Sequence, residues 1–555
     1  MAEGILAVCT SGELIARLTA EPSAKWAVMT APNWPPEVLD RIEAVQPGRR
    51  VGGERTVHDE CLRADVADLF DAAARHDPTG AFPSAAGVPL SIPVWHEIEQ
   101  LLRLRRQAPE ITTLFVLVSP DSRDNELMSV LAGNLPMRKR SWSGRLLWRL
   151  GRTLLRRLFC CRVSSDQAGR NCWVSVGPFL KDQKPDTYYG RWPWRVTRPP
   201  LRIYQEGGAV VRLPSDSEQI PLEALISYSD ILGALWDLRI AVRFCRRLSE
   251  QDFNQRVLRW LWFEEMRRGE VLMLALQKRA WNRLFIEYKP RLVVFPYEAR
   301  AWERSLVRQA RSFGVSNIGY QHSSLTPRHY ALLVAPTRGL PDWIPDRIIC
   351  CGEITARRLA TAVSIYRDRM HVGVALRTNA NPLASVGPAI LVALSSSRYE
   401  AATLFKFFAL ACRLGLRFPL IFRPHPTIPV LDLYEQWNWP ATTRFSAGRS
   451  LNQDLSEAWC VAYSSATVCL EGMRYGRIPL YIDIGEILSG DPLDEGLPFK
   501  LSSHSPESLL HSLSKYSDSF RDDLPQSVDA ARYAKSYLIE PTDEGIATMS
   551  RVLER

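Results

Sequence analysis

The sequence predicts an α/β protein of two parallel-sheet domains facing across a cleft, with a helical and irregular insertion in its N-terminal half. Three observations predict it. Short apolar runs alternate with helix-length amphipathic stretches through the C-terminal half, the pattern of strand–helix–strand units. Several of those runs end in clusters of polar side chains, as the carboxyl ends of parallel strands do when they line a ligand crevice. A chain of 555 residues is also too long for a single core.

In order along the chain, apolar runs at 5–9, 26–30 and 113–118 read as strands, and 12–18, 65–75 and 94–104 as helices. Residues 163–222 are rich in Gly, Pro, Trp and Tyr with little periodicity and read as an irregular insertion. Helical periodicity returns over 223–288. Strands at 291–295 and 317–320 flank a helix at 302–313. A second series begins near 346, with strands at 347–351, 389–395, 420–423, 461–463 and 479–482 separated by helices. Residues 505–540 add helices that can cross back to the first domain. The division expected is 1–340, 346–540 and a tail at 541–555.

Composition is that of a water-soluble chain: 46% apolar and 23% charged, with a net charge of +10 that favours an anionic partner without choosing one. The eleven cysteines are odd in number and lack C-x-x-C spacing, which fits reduced, buried thiols and a cytoplasmic protein. The N-terminus has no signal-peptide pattern, and no apolar run is long enough to span a bilayer. No helix-turn-helix, RNA-recognition or zinc pattern occurs, so nucleic acid is not expected as a partner.

The chemistry concentrates at strand ends. The strand at 420–423 stops at Arg423-Pro424-His425-Pro426, and the strand at 461–463 stops at Ser464-Ser465-Ala466-Thr467 before a helix that carries Glu471. Guanidinium, imidazole, hydroxyls and a helix N-terminus together suit a nucleotide phosphate, and Glu471 is placed to accept from ribose hydroxyls. Taken singly, Arg-Pro-His-Pro reads as a turn and Ser-Ser-Ala-Thr as a helix cap; their joint position after successive strands is what points to a site. In the first domain, Glu298 and His322 follow the strands at 291–295 and 317–320, and either can take a proton from a hydroxyl. The bland alternatives are a surface pairing of Glu298 with Arg300 or Arg304, and a core position for His322.

The turn RPHP followed by YSSATVCLEGMRYGRIPLYID resembles the donor-binding half of GT-B glycosyltransferases, with their two Rossmann-like domains. It is similar in particular to the bacterial surface-carbohydrate group that includes capsule sialyltransferases, Kdo transferases and teichoic-acid glycerophosphotransferases. KPRLVVFPYEARAWERSLVRQARSFGVSNIGYQHSS resembles that group's acceptor-side segment, so the resemblance covers about residues 289–485. It implies that His425 and Ser464/Ser465 hold the phosphate of a cytidine nucleotide, that the reaction moves a sugar from a CMP-linked donor to a glycan or lipid-linked acceptor, and that Glu298 is favoured as the base. A 2-epimerase, a glycerophosphotransferase and a non-catalytic assembly protein are the rival readings.

Residues 138–159 form a separate feature. Arg145, Arg149, Arg152 and Arg156 recur at helical spacing opposite Leu147, Leu150, Leu154 and Leu158, with no acidic residue from 128 to 165. This pattern fits a helix lying in an anionic membrane interface, on the inner face of the cytoplasmic membrane, and equally a surface helix packing its Leu stripe on a core. No cofactor and no metal are expected, since the chain has no Asp-x-Asp and no metal-ligand spacing among its nine His. The missing Asp-x-Asp predicts that EDTA leaves turnover unchanged in a transfer assay; inhibition reversed by Mg²⁺ or Mn²⁺ rejects a metal-free reaction.

Overall fold

The computed structural model describes residues 5–9, 26–29, 113–117, 144–159, 168–176, 188–196, 199–205, 219–248, 253–333, 341–377, 386–484 except 427, 489–514 and 525–554, with isolated positions at 67–75, 82, 186 and 516. The helices expected at 12–18 and 94–104 lie outside the described residues. The chain forms two compact units, residues 1–155 with 228–277, and residues 156–227 with 278–555.

In the first unit, β1 (Ile5–Cys9), β2 (Trp26–Met29) and β3 (Thr113–Leu117) make a parallel sheet in the order β1-β3-β2, so the three N-terminal strands fall where their apolar runs predicted. Among the described residues it is accompanied by α1 (Gly144–Phe159), α2 (Tyr228–Arg247), α3 (Phe253–Arg268) and α4 (Glu270–Tyr288), of which α1 and α4 end in the second unit.

The second unit holds two parallel sheets. The first comprises β4 (Cys172–Ser175), β5 (Leu201–Tyr204), β6 (Gln219–Pro221), β7 (Leu292–Pro296), β8 (Ser316–Gln321), β9 (Arg347–Cys350) and β10 (Met370–Val372), in the order β10-β9-β8-β7-β4-β5-β6. The second comprises β11 (Ala389–Ala393), β12 (Leu420–Arg423), β13 (Arg444–Phe445), β14 (Ala458–Tyr463), β15 (Ile478–Ile482) and β16 (Leu501–Ser503), in the order β13-β12-β11-β14-β15-β16. Numbered by rank within each sheet, both follow the doubly wound order 3-2-1-4-5-6, and the first adds a seventh strand at its edge. Two Rossmann-like sheets in one chain make the GT-B-like α/β fold that the sequence predicts.

Two boundaries differ from expectation. Residues 163–222 do not merely form an irregular insertion, because they supply β4, β5 and β6, the first three strands of the seven-stranded sheet. These strands are three or four residues long, too short for a periodic pattern, and are buried throughout or nearly so. The strands β9 and β10, read from sequence as opening the second domain at 346, pair with β8 and each other and so extend the first sheet. The second sheet starts at Ala389.

Burial explains the strand compositions. Every residue of β7, β11, β14 and β15 is buried, as expected for strands covered by helices on both faces. One face of the second sheet packs Phe405 and Phe408 of α7 (Arg398–Arg413) against Phe422 and Leu480. The other face packs Cys469, Leu470 and Met473 of α9 (Val468–Arg474) against Leu391 and Val461. The C-terminal helix α11 (Pro525–Tyr537) crosses back to the first sheet as anticipated, and α12 (Asp543–Glu554), in the segment expected as a tail, does so too. The Leu325 amide donates to the Tyr537 hydroxyl at 2.8 Å, and Trp192 Nε1 donates to Ser550 Oγ at 3.0 Å. Gly352 sits under this crossing, where a Cβ would lie 2.1 Å from the Tyr537 carbonyl oxygen. Backbone cannot swing aside as a flexible side chain does, so Gly352→Ala is expected to destabilise by about 1–3 kcal/mol. An unaltered urea midpoint would show that the crossing helix is not seated there.

Candidate functional site

The site is built where the carboxyl ends of the two sheets meet. The loop after β8 touches the loop after β14 through Ser324 Oγ and Thr467 Oγ1 at 3.2 Å. Beside that contact, Arg328 Nη1 donates to Glu400 Oε1 at 3.1 Å, and Ser465 Oγ donates to both oxygens of the same carboxylate at 2.9 and 2.7 Å. Glu400 is fully buried in the first turn of α7, whose N-cap Ser397 accepts from its amide. The junction therefore joins three strand ends, those of β8, β11 and β14. In the second sheet β11 and β14 are the pair at which strand order reverses, the place where doubly wound sheets open a crevice.

On the seven-stranded side, Glu298 lies two residues past β7 and His322 one residue past β8, which are hydrogen-bonded neighbours. His322 Nε2 is 3.5 Å from Glu298 Oε1, and Arg300 Nε donates to Glu298 Oε2 at 2.6 Å. Arg304 does not pair with Glu298; it donates to the carbonyls of Ala299 and Ala331. Between Glu298 and Arg300, Ala299 takes φ +57°, a left-handed conformation that costs a residue with a Cβ about 1–2 kcal/mol. The turn is held by Glu303, whose Oε2 accepts from the Glu298 and Arg300 amides at 2.8 and 3.1 Å. Strain of this kind, held by a buried carboxylate, fixes where Glu298 points.

Burial raises the Glu298 carboxyl, but Arg300, His322 and His329 outweigh it and hold the group at about 2. Burial drives His322 down to about 4, with Arg377 and Arg300 pushing the same way and Glu298 and the Tyr320 carbonyl opposing. The pair is therefore a carboxylate facing a neutral imidazole. His322 Nδ1 is buried without a hydrogen-bond partner, and the Tyr188 ring stands edge-on to the imidazole at 4.7 Å. Burial and the Glu298 charge raise Glu303 to about 8.

On the six-stranded side, Arg423 and Tyr463 occupy matching register positions on either side of β11, so their Cα atoms lie about 10 Å apart by two strand spacings. The register brings the Arg-Pro-His-Pro turn and the Ser464–Thr467 turn to one rim. Their side chains are not equally available. Arg423 Nη1 is tied to buried Asp454 at 2.6 Å and to the Arg449 carbonyl at 3.2 Å, and Ser465 is spent on Glu400. Ser464 Oγ, by contrast, is buried and has no hydrogen-bond partner. His425 is half-buried and shifted down, by burial and then by Arg377. Glu471 is raised by burial against the pull of Arg377, Arg474 and Arg423. The helix behind this turn, α9, has seven residues, which leaves recognition to side chains more than to its dipole.

One residue that sequence reading passed over ties the two sides together. Arg377 is exposed, follows β10 in the connection between the sheets, and its charge reaches His322, His425, Glu471 and Tyr188. Its guanidinium carbon stands 5.8 Å from the Tyr188 ring centroid. The loop carrying Tyr188 is anchored by buried Asp186, which accepts from Ser175 Oγ at 2.8 Å and from the amides of Tyr188 and Tyr189. The Ser395-Ser396-Ser397 run after β11 was a readable signal for Glu400, being a hydroxyl cluster at a strand end like that at 464–467. Nothing in the sequence around Arg377 marks it.

Of the basic segment, Arg149 pairs with Glu270 at 2.8 Å, and Arg152 stands over the Trp148 ring at 5.0 Å. Leu146 and Thr153 are buried while Trp148 is 58% exposed. The side chains of Arg145 and Arg156 lie outside the described residues. No helix among the described residues is long and apolar enough to cross a membrane.

No family model matches the sequence, and no curated protein matches it. Solved structures with a similar arrangement include a UDP-N-acetylglucosamine 2-epimerase from Rickettsia bellii (12% identity, 70% of this chain and 96% of that one, TM-score 0.42). They also include a UDP-GlcNAc 2-epimerase from Methanocaldococcus jannaschii (8%, 69% and 99%, 0.41) and the glycosyltransferase SnogD from Streptomyces nogalater (13%, 70% and 99%, 0.39). The fold assignment stands on the strand orders given above and the site on its own residues.

The pKa directions set an acid response. Folding holds His322 and Glu298 below their unfolded values of about 6.5 and 4.3, so each contributes stability that is present above the unfolded value and lost as pH falls toward the folded one. The His322 window runs from about 6.5 down to about 4, followed by that of Glu298 down to about 2. Urea unfolding is expected to show stability falling below pH 6.5, and His322→Gln to remove up to about 3 kcal/mol of that fall by pH 4. A variant with the wild-type pH slope would mean that His322 is not held neutral.

Proposed function

We propose that the protein is a glycosyltransferase that moves a sugar from a nucleotide-activated, CMP-linked donor to a glycan or lipid-linked precursor of a surface polysaccharide, without a metal. The observation that carries this reading is the pair of buried, unpartnered polar atoms, His322 Nδ1 and Ser464 Oγ, one from each of two loops that touch at the joined strand ends. Native structures rarely leave buried polar atoms unsatisfied, and a polar ligand between the loops would satisfy both.

In this reading the acceptor hydroxyl oxygen attacks the anomeric carbon and the bond from that carbon to the phosphate oxygen breaks. The electron pair leaves with the nucleotide. The acceptor's proton goes to His322. Both oxygens of Glu298 already face partners, so Glu298 orients the imidazole and stabilises it once charged, as a positioning carboxylate does in a catalytic triad. Arg377, His425, Ser464 and Thr467 take the phosphate charge, Glu471 accepts from the ribose, and Arg423 and Ser465 hold the rim in shape. The cytidine preference and the polysaccharide acceptor rest on the resemblance at 421–485. The lack of Asp-x-Asp supports a metal-free reaction in which Arg377 and His425 stand where a metal would. Trp148 and Arg152 of α1 support contact with an anionic membrane, the setting of a lipid-linked acceptor.

A base held at about 4 is weak, but the anionic donor itself corrects this. A phosphate on Arg377 offsets one of the charges that depress His322, so the imidazole becomes more basic when the donor is bound. NMR titration of His322 is expected to show its pKa rising by a unit or more with bound nucleotide. Among CMP, CDP, UDP, GDP and their sugars, a cytidine ligand is expected to give the largest thermal shift. His322→Gln and His425→Ala are each expected to lower transfer at least about 100-fold with melting preserved. Normal turnover by both variants, or conversion of a nucleotide sugar to its 2-epimer without acceptor, overturns the reading.

A further inference from the structure

The helix α2 is apolar on two opposite faces. One face buries Ile231, Ala234, Leu238, Ala241 and Cys245. The other exposes Tyr228, Leu232, Leu235, Trp236, Ile240 and Phe244, with Leu232 69% and Trp236 56% exposed. Six of the thirteen large hydrophobic side chains exposed among the described residues thus sit on this single helix. At 100° per residue the six fall within one half of the helix surface, centred opposite the buried stripe. A helix covered on one side only normally turns charged and neutral polar side chains to water on the other, and contiguous apolar surface left exposed marks an interaction site.

What shares that face identifies the occupant. Arg239, Arg243, Arg246 and Arg247 are exposed and lie on the same half of the helix. Arg239 stands 5.7 Å over the Trp236 ring and Arg247 5.7 Å over the Phe244 ring. The two acidic residues of the helix, Asp230 and Asp237, fall at the border with the buried stripe, outside the exposed face. Aromatic and aliphatic side chains interleaved with guanidinium groups along about 28 Å of helix complement a broad surface that is apolar beneath and anionic on top. A second copy of the chain fits this face poorly, because an isologous contact would set one Arg row near another.

We propose that α2 is a membrane-docking helix that lies in the interface of an anionic bilayer, with its Trp236 and Phe244 rings among the acyl chains and its arginines on the lipid phosphates. This site is separate from the basic segment at 138–159 and does not rest on the reading of the cleft.

Flotation of the full-length protein with phosphatidylcholine vesicles, with and without phosphatidylglycerol, tests it. The wild type is expected to float with the anionic vesicles only and to be released by raised salt. Trp236→Ser with Phe244→Ser, and separately Arg239→Glu with Arg243→Glu, are expected to lower the partition coefficient by more than about tenfold. All four side chains are exposed, so melting temperatures should stay at the wild-type value, and a variant that does not fold is replaced by Arg239→Gln with Arg243→Gln. Charge reversal at Arg152 in α1 serves as the comparison, since loss confined to that variant would place membrane contact on α1 alone and overturn the assignment to α2. Partitioning unchanged in both α2 variants overturns it too. So does a wild type that binds no vesicle but is a dimer in solution, made monomeric by Trp236→Ser with Phe244→Ser.

Discussion

The site depends on one buried carboxylate. Glu400 accepts from Arg328 on one sheet's loops and from Ser465 on the other's, and it is fully enclosed. A buried charge is tolerable only with such partners, and removing one partner typically costs about 3–5 kcal/mol because the charge is then stranded. The junction is thus strongly favoured in a single geometry, in which Ser324 meets Thr467 and the rims carrying His322 and Ser464 come together. Gly490 tightens the same place, since a Cβ there would lie 2.7 Å from the Ser465 Cβ and 3.3 Å from the Arg328 guanidinium carbon. Ser465 therefore serves the architecture, while the Ser464 hydroxyl is buried without a hydrogen-bond partner.

Around that junction, charge is arranged unevenly. Glu298 is strongly acidic and Glu303, five residues away, is raised to about 8. Burial raises both carboxyls, and the Glu298 charge raises Glu303 further, but Glu298 has the Arg300 guanidinium on its oxygen, so a proton in the region resides on Glu303 and the negative charge on Glu298. The left-handed Ala299 between Glu298 and Arg300 is the cost of presenting both side chains to the same space. Glycine at that position would remove the strain and also the constraint, which is a physical reason for a non-glycine residue where glycine is easier.

The sequence made the sheet strands legible wherever an apolar run reached five or six residues, as at β7, β11 and β14. It failed at β4–β6, where three or four residues between Gly, Pro and aromatic clusters carry no period, and at the boundary near 346, where strand identity was right and sheet membership was not. Membership is set by long-range pairing, to which local pattern is blind. The site followed the same rule. The strand-end placement of His425, Ser464, Glu298 and His322 was readable because each follows a strand in a short polar cluster. That of Arg377 was not, because it follows a strand of three residues, and its charge reaches both rims only through the course of the connection between the sheets.

The two amphipathic helices carry their patterns differently. The segment at 138–159 separates Arg from Leu cleanly, and among its described side chains Arg149 pairs with Glu270 while Trp148 is exposed. Helix α2 has far weaker contrast, since apolar residues occur all round it, and periodicity alone would read it as a core helix. Its exposed stripe becomes visible only once the buried stripe is known, because a two-faced apolar helix and a fully buried one share the same composition. What separates them is the cation on the aromatic: guanidinium groups over Trp236 and Phe244 stay hydrated, and a helix buried on every side has no room for them. The arginines therefore carry two kinds of information in this chain. Where they meet carboxylates, as at Arg328, Arg423 and Arg149, they fasten the fold. Where they stand over rings, as at Arg377, Arg239 and Arg247, they mark the two surfaces proposed to meet an anion.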